Sequence, residues 1–72
     1  MQIHYKADAD VLLVVLRDEA PADAVEEPGG VIVSYGEDGE PVSVEFLNAS
    51  ARGLILPGEV SVMIQKEDSV ET

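Results

Sequence analysis

The chain has 72 residues and a mass of 7.7 kDa, and four basic residues against fifteen acidic ones give a net charge of −11 at pH 7. This length allows a single domain, residues 1–72. Nucleic acid and anionic membrane both require clustered basic residues, so we expect neither as a partner. Without cysteine the chain has no disulfide, thiolate metal site or cysteine nucleophile. A basic start followed by an apolar run is not present, so we expect a cytoplasmic protein.

Short segments rich in β-branched residues and separated by turn formers predict strands. The first covers residues 2–5, and Asp8 and Asp10 then suit a turn. Residues 11–16 are all apolar, which predicts a strand covered on both faces. Residues 17–30 contain two prolines and two glycines, and they predict a solvated connection with a short edge strand around Val25.

The strongest hairpin signal is the Asp38-Gly39 pair between residues 31–35 and 42–47. Alternation gives this hairpin one apolar face, made of Val31, Val33, Tyr35, Val42, Val44 and Phe46, and a second face made of Ser34, Ser43 and Glu45. Residues 48–53 predict one helical turn ending at Gly53. A further strand is predicted over residues 59–65, and residues 66–72 are expected to fray. The expected fold is mainly β, a small antiparallel sheet of four to six strands with at most short helical turns.

The sequence contains few candidates for chemistry. His4 is the single histidine, and with Asp8 and Asp10 it forms a group that could hold a divalent ion. Their spacing fits no EF-hand loop. No serine lies in a nucleophile elbow, and only one histidine is available to activate a hydroxyl. We therefore expect no enzymatic activity, no cofactor and no catalytic residue.

Two stretches carry a family resemblance, HYKADADVLLVVL at residues 4–16 and EEPGGVIVSYGEDGEPVSVEFLNAS at residues 26–50. Over about residues 3–50 they resemble the small prokaryotic family called domain of unknown function 2283. The matching positions are Tyr5, Ala9, Asp10, Leu12, Leu16, Pro28, Gly29, Val31, Ile32, Tyr35, Gly39, Val42, Glu45, Leu47, Ala49 and Ser50. The chain departs from the family pattern in two ways. Gly30 is an extra residue. Asp is replaced by Lys6, Ser34 and Gly36, and Tyr is replaced by Val14. The missing acids argue against a metal site.

The resemblance implies a small β-rich domain without assigned activity, and some members of the family look like the antitoxin partner of a small toxin. It supplies no catalytic residue. Two alternatives for the function therefore stay open. One is an antitoxin-like role, in which the acidic chain neutralises a basic toxin. The other is a domain that binds a small ligand or a divalent metal at His4, Asp8 and Asp10.

The leading expectation is a non-enzymatic interaction module that forms a homodimer or a higher homo-oligomer. A chain of this size buries only about 60% of its unfolded surface, and a second chain is the simplest further source of burial when disulfides are absent. The candidate interface residues are Val11, Leu12, Leu13, Val14, Val15 and Leu16. The strand predicted around residues 60–64 is the rival cover for the same surface.

Overall fold

The structure, a computed structural model, describes residues 1–55 and Glu67. In this part of the chain a five-stranded sheet forms and no helix is present. The strands are β1 (Gln2–Lys6), β2 (Val11–Val15), β3 (Asp23–Glu27), β4 (Val31–Tyr35) and β5 (Pro41–Leu47). Neighbouring strands are antiparallel, and their order across the sheet is β1-β2-β5-β4-β3. The predicted mainly β, antiparallel fold is confirmed. None of the described residues forms a helix long and apolar enough to cross a membrane.

The short edge strand predicted around Val25 is present as β3, which pairs only with β4 among the described strands. The apolar residues 11–16 form β2, an interior strand between β1 and β5. The sequence predicted that both faces of this strand are covered, but the covering is incomplete. Val11 is buried, whereas the other four residues of β2 are only half-buried and Leu16 is 39% exposed. The strand predicted over residues 59–65 lies outside the described residues, and so does the expected frayed end, Glu67 excepted.

The hairpin between β4 and β5 turns through residues 36–40. The Gly36 N–H donates to the Glu40 carbonyl at 2.9 Å, and the Gly39 N–H donates to the Gly36 carbonyl at 3.0 Å. Gly39 has φ = 82°, the left-handed region that glycine enters without steric cost. The hairpin predicted from the Asp38-Gly39 pair is therefore present, with Gly39 in the left-handed region of a five-residue loop.

The segment after β5 makes the predicted single helical turn and then stops. Gly53 has φ = 77°, its N–H donates to the Ser50 carbonyl, and the Leu54 N–H donates to the Ala49 carbonyl. This pair of bonds around a left-handed glycine is the Schellman arrangement that ends helical turns. It turns the chain so that Ile55 is buried, with 8% of its surface exposed.

The buried apolar residues of the described part are few. They are Val11, Val42, Ala49 and Ile55. These residues come from two of the three interior strands, β2 and β5, and from the segment that follows β5. Val11 and Ala49 lie where the helical turn meets the start of β2, whereas Val42 lies near the other end of β5, beside Leu16. Most other strand residues keep part of their side chain accessible.

Candidate interaction surface

The strand registers place apolar side chains on every strand of one sheet face. Residues directly opposite each other on antiparallel strands share a face, and alternate residues along a strand do so too. One row across the sheet is Ile3, Val14, Val44, Val33 and Val25, and the next is Tyr5, Leu12, Phe46, Val31 and, at the β3 edge, Glu27. We use the name apolar face for the apolar residues of this surface. They are the nine apolar residues of these two rows and Val42, which alternates with Val44 on β5.

The apolar face is only partly covered. Of its ten residues only Val42 is buried, with 1% exposure. Ile3 and Val25, at the two ends of the central row, are 36% and 40% exposed. Leu16 continues the alternation of β2 on the same side and is 39% exposed. Accessible apolar surface thus extends from one edge of the sheet to the other.

The opposite face is mixed in character. Its residues are Gln2, His4, Lys6, Val11, Leu13, Val15, Ala24, Glu26, Ile32, Ser34, Ser43, Glu45 and Leu47. Glu45 lies in the middle of this mixed face, directly between Leu13 and Ile32 on the neighbouring strands. On β1, His4 Nε2 and Gln2 Oε1 are 3.0 Å apart. Polar groups thus interrupt the mixed face at its centre and at its β1 edge.

A hydrogen-bonded cluster joins the β1–β2 turn to the helical turn after β5. The Asp10 carboxylate accepts the Tyr5 hydroxyl at 2.7 Å, the Ser50 hydroxyl at 2.7 Å and the Ser50 N–H at 3.1 Å. The Asp10 carbonyl also accepts the Ala49 N–H at 3.0 Å. Asp10 has φ = 55°, a left-handed conformation that Asp tolerates better than most residues.

This cluster changes the acidity of its members. The hydroxyls of Ser50 and Tyr5 hold the pKa of the Asp10 carboxyl below its ordinary value of 3.8. The hydrogen bond to Asp10 in turn raises the pKa of the Tyr5 phenol above 10.0. A carboxylate with a lowered pKa is a weak base, so Asp10 is poorly suited to activate Ser50 as a nucleophile. The cluster is therefore a structural tie between two parts of the chain.

A second polar cluster lies at the other end of the sheet. Arg17 donates two hydrogen bonds of 3.0 Å to the carboxylate of Asp38 and a further one to Glu19. The Arg17 guanidinium and the Glu40 N–H lower the pKa of Asp38 from 3.8 to about 2. Beside these residues is an open groove of about 480 Å³. Its lining is Glu19, Ala20, Pro21, Ala22, Glu37 and Asp38.

The metal-ligand candidates from the sequence are not assembled into a site. Asp10 is engaged with Tyr5 and Ser50, and His4 lies on the mixed face beside Gln2. Asp8 is exposed in the β1–β2 turn. Within residues 1–55 and Glu67, no group of three or more His, Asp or Glu side chains is arranged to hold a metal ion.

The candidate interface residues of β2 divide between the two faces. Leu12, Val14 and Leu16 lie on the side of the apolar face, and the other three, Val11, Leu13 and Val15, lie on the mixed face. The sequence predicted an edge strand around Val25, but it did not place Val25 or Ile3 on the apolar face. Their alternation within β1 and β3 was the available signal, and the strand order shows that these two strands are the edges of the described sheet.

Comparison with known proteins gives one positive result. Searches of curated proteins and of solved structures each returned no match. A family model described as "Protein of unknown function (DUF2283)" matches residues 2–50. This range includes all five described strands and the Asp10–Ser50 cluster. The chain therefore belongs to the DUF2283 family.

Proposed function

We propose that this protein is a non-enzymatic interaction module that binds a second copy of itself through the apolar face. One observation carries the proposal. Apolar side chains from all five strands line this face, yet only Val42 among them is buried. Contiguous apolar surface of this kind is uncommon on soluble monomers and marks sites of protein contact.

Burial of this face against an identical one is favourable for a simple reason. Each square ångström of apolar surface removed from water stabilises the assembly by about 25 cal/mol before the costs of association. The acids on this side of the described sheet, Asp23 and Glu27, both lie on the edge strand β3, and the four other strands contribute no charged residue to it. Two such faces can therefore pack as a β-sandwich, in which the inner faces interdigitate, and two-fold pairing closes the assembly.

The charges at the border of the apolar face favour one orientation of the two copies. Asp23 and Glu27 flank Val25 on β3 and point to the same side. In a face-to-face pair the two-fold axis lies in the plane between the two sheets. If this axis runs across the strands, β3 lies over the partner's β3 and these acids meet. If it runs along the strands, β3 lies over the partner's β1, which has no acidic residue. Like-charge repulsion favours the second arrangement.

Neighbouring residues of β3 provide a matched test. Val25 belongs to the apolar face and Ala24 to the mixed face, and both are exposed. Val25→Glu and Ala24→Glu therefore add the same charge to the same strand on opposite sides. We expect sedimentation equilibrium at micromolar concentration to give at least twice 7.7 kDa for wild type and Ala24→Glu, and half the wild-type mass or less for Val25→Glu. A wild-type mass of 7.7 kDa would refute the proposal.

A basic protein partner is a second candidate. It is favoured by the groove beside the β4–β5 hairpin, where Glu19, Glu37 and Asp38 present carboxylates around an open space. Complementary charge accelerates the encounter of such partners. The test is affinity capture on wild type and on Glu37→Lys, followed by mass spectrometry. This role requires a basic protein that wild type retains and Glu37→Lys loses, and its absence would exclude the role.

A further inference from the structure

The two edge strands of the described sheet differ sharply in charge. β3 carries Asp23, Glu26 and Glu27, and prolines precede and follow it at positions 21 and 28. Charged residues and prolines are the usual means by which proteins prevent an edge strand from pairing with another chain. β1, with the sequence QIHYK, has one charged residue, Lys6 at its end, no acidic residue and no proline. Of the two edges of the described sheet, the β1 edge is therefore the less protected one.

We propose that β1 pairs with the β1 strand of a second copy, antiparallel and about a two-fold axis at His4, so that two sheets become one sheet of ten strands. We call this contact the β1 seam. The proposal rests on the proposed self-association and adds a second contact to it. In the ten-stranded sheet both apolar faces lie on the same side, because a two-fold axis normal to a sheet keeps its faces in place.

The register at the β1 seam pairs compatible side chains. Antiparallel pairing about His4 places Gln2 opposite the partner's Lys6 and Ile3 opposite the partner's Tyr5. No two lysines face each other, and an aliphatic residue meets an aromatic one, which is a favourable cross-strand pair. Ile3 and Tyr5 belong to the apolar face, and Ile3 is 36% exposed. The seam thus covers part of Ile3 and continues the apolar face from one copy into the next.

The net charge of each copy also favours β1 over β3 as the seam. A β3–β3 pair centred on Val25 would place Asp23 directly opposite the partner's Glu27. In the β1 seam the two β3 strands lie at opposite ends of ten strands, nine spacings of about 4.8 Å apart, or roughly 43 Å. That distance is several Debye lengths at physiological salt, so repulsion between the acidic edges is screened.

Symmetry distinguishes the β1 seam from pairing of β1 with the partner's β3. Such head-to-tail pairing leaves a free β1 and a free β3 at its ends and continues into filaments. The β1 seam uses the same strand on both copies, so it closes after two copies. Only the acidic β3 edges then remain at the outside of the sheet, where their charges oppose further pairing.

The absence of cysteine makes the seam directly testable by cross-linking. Directly opposite residues of antiparallel strands have Cα atoms about 4.5 to 5.5 Å apart, within the range for disulfide formation. We expect His4→Cys to form a covalent dimer of about 15 kDa, twice 7.7 kDa, in a glutathione redox buffer at micromolar concentration. Gln2→Cys is the control on the same strand and face. In the proposed register Gln2 lies four residues from the partner's Gln2 along the strand, about 13 Å at about 3.3 Å per residue, which is too far for a disulfide. Ala24→Cys is the control on the β3 edge.

We expect the covalent dimer to form at least about tenfold faster for His4→Cys than for either control, Gln2→Cys or Ala24→Cys. Should His4→Cys lose its β circular dichroism, the double variant Gln2→Cys/Lys6→Cys tests the same register, because each cysteine then faces the other residue's position on the partner. If wild type self-associates but neither variant cross-links faster than Ala24→Cys, the β1 seam is wrong and the proposed function stands. A monomeric wild type in sedimentation would refute both the proposed self-association and the β1 seam. Formation of filaments would indicate β1–β3 pairing in place of the β1 seam.

Discussion

The hydroxyl of Ser50 donates a 2.7 Å hydrogen bond to the carboxylate of Asp10, across 40 positions of sequence. The same carboxylate accepts the hydroxyl of Tyr5. All three positions match the family pattern found in the sequence. The cluster holds the start of β2 against the helical turn after β5, next to the buried residues Val11 and Ala49. These polar residues therefore tie together the two segments that contain Val11 and Ala49.

The first prediction concerns this cluster. Ser50→Ala removes one hydroxyl donor, and we expect it to lower the free energy of unfolding by about 1 kcal/mol. Asp10→Ala should be more destabilising, because it leaves the Tyr5 hydroxyl and both Ser50 donors without their acceptor. Urea unfolding measures both effects. Asp8→Ala is the matched control in the same turn, and an equal loss of stability in Asp8→Ala and Asp10→Ala would contradict the role of the cluster.

The second prediction concerns the acid limb of stability. Arg17 and the Glu40 N–H lower the pKa of Asp38 from 3.8 to about 2, so the folded state favours the deprotonated carboxylate more strongly than the unfolded state does. The stabilisation from Asp38 is therefore complete above its ordinary pKa and is lost as pH falls through about 2. We expect Asp38→Asn to be less stable than wild type at pH 6, with the difference disappearing near pH 2. Glu37→Gln removes the same charge at the neighbouring position, and an identical pH profile in both variants would contradict this account.

The third prediction isolates backbone strain at the β4–β5 hairpin. A Cβ added at Gly39 would find no heavy atom within 4 Å, so a substitution there acts through the backbone angle alone. With φ = 82°, Gly39→Val should lower the free energy of unfolding by about 1 kcal/mol or more. Gly39→Asn should cost less, because Asn enters the left-handed region more readily. Thermal unfolding of the three proteins tests this order, and equal melting temperatures would argue against strain at Gly39.

The sequence predicts local features of this fold better than long-range ones. The β4–β5 hairpin, the edge strand at Val25 and the turn ending at Gly53 follow from alternation and from glycine and proline positions, which act over a few residues. The placement of β5 between β2 and β4 has no such local signature. The Asp10–Ser50 contact was missed for the same reason, because spacing along the chain does not indicate which distant polar groups meet. Residues 11–16 predicted an interior strand, but alternation alone did not show which face of β2 is the more apolar.

The fourth prediction uses salt to examine the charge of the folded chain. A net charge of −11 creates self-repulsion in the compact state that is weaker in the expanded unfolded chain. Sodium chloride shortens the Debye length to about 10 Å at 0.1 M and about 6 Å at 0.3 M, and it should therefore raise the melting temperature. The Arg17–Asp38 pair acts in the opposite direction, because salt weakens an exposed ion pair. A melting temperature that falls with added salt would mean that attractive pairs outweigh the repulsion.

The fifth prediction separates self-association from binding to a basic partner by the sign of its salt dependence. Two copies that each carry a charge of −11 repel one another, so salt should strengthen a contact formed by the apolar face. A basic partner held by Glu19, Glu37 and Asp38 is attracted by opposite charge, and salt should weaken that complex. We expect the dimer dissociation constant from sedimentation equilibrium to fall as sodium chloride rises from about 0.05 to 0.3 M. A dissociation constant that rises over this range would show that ion pairs, and not the apolar face, hold the copies together.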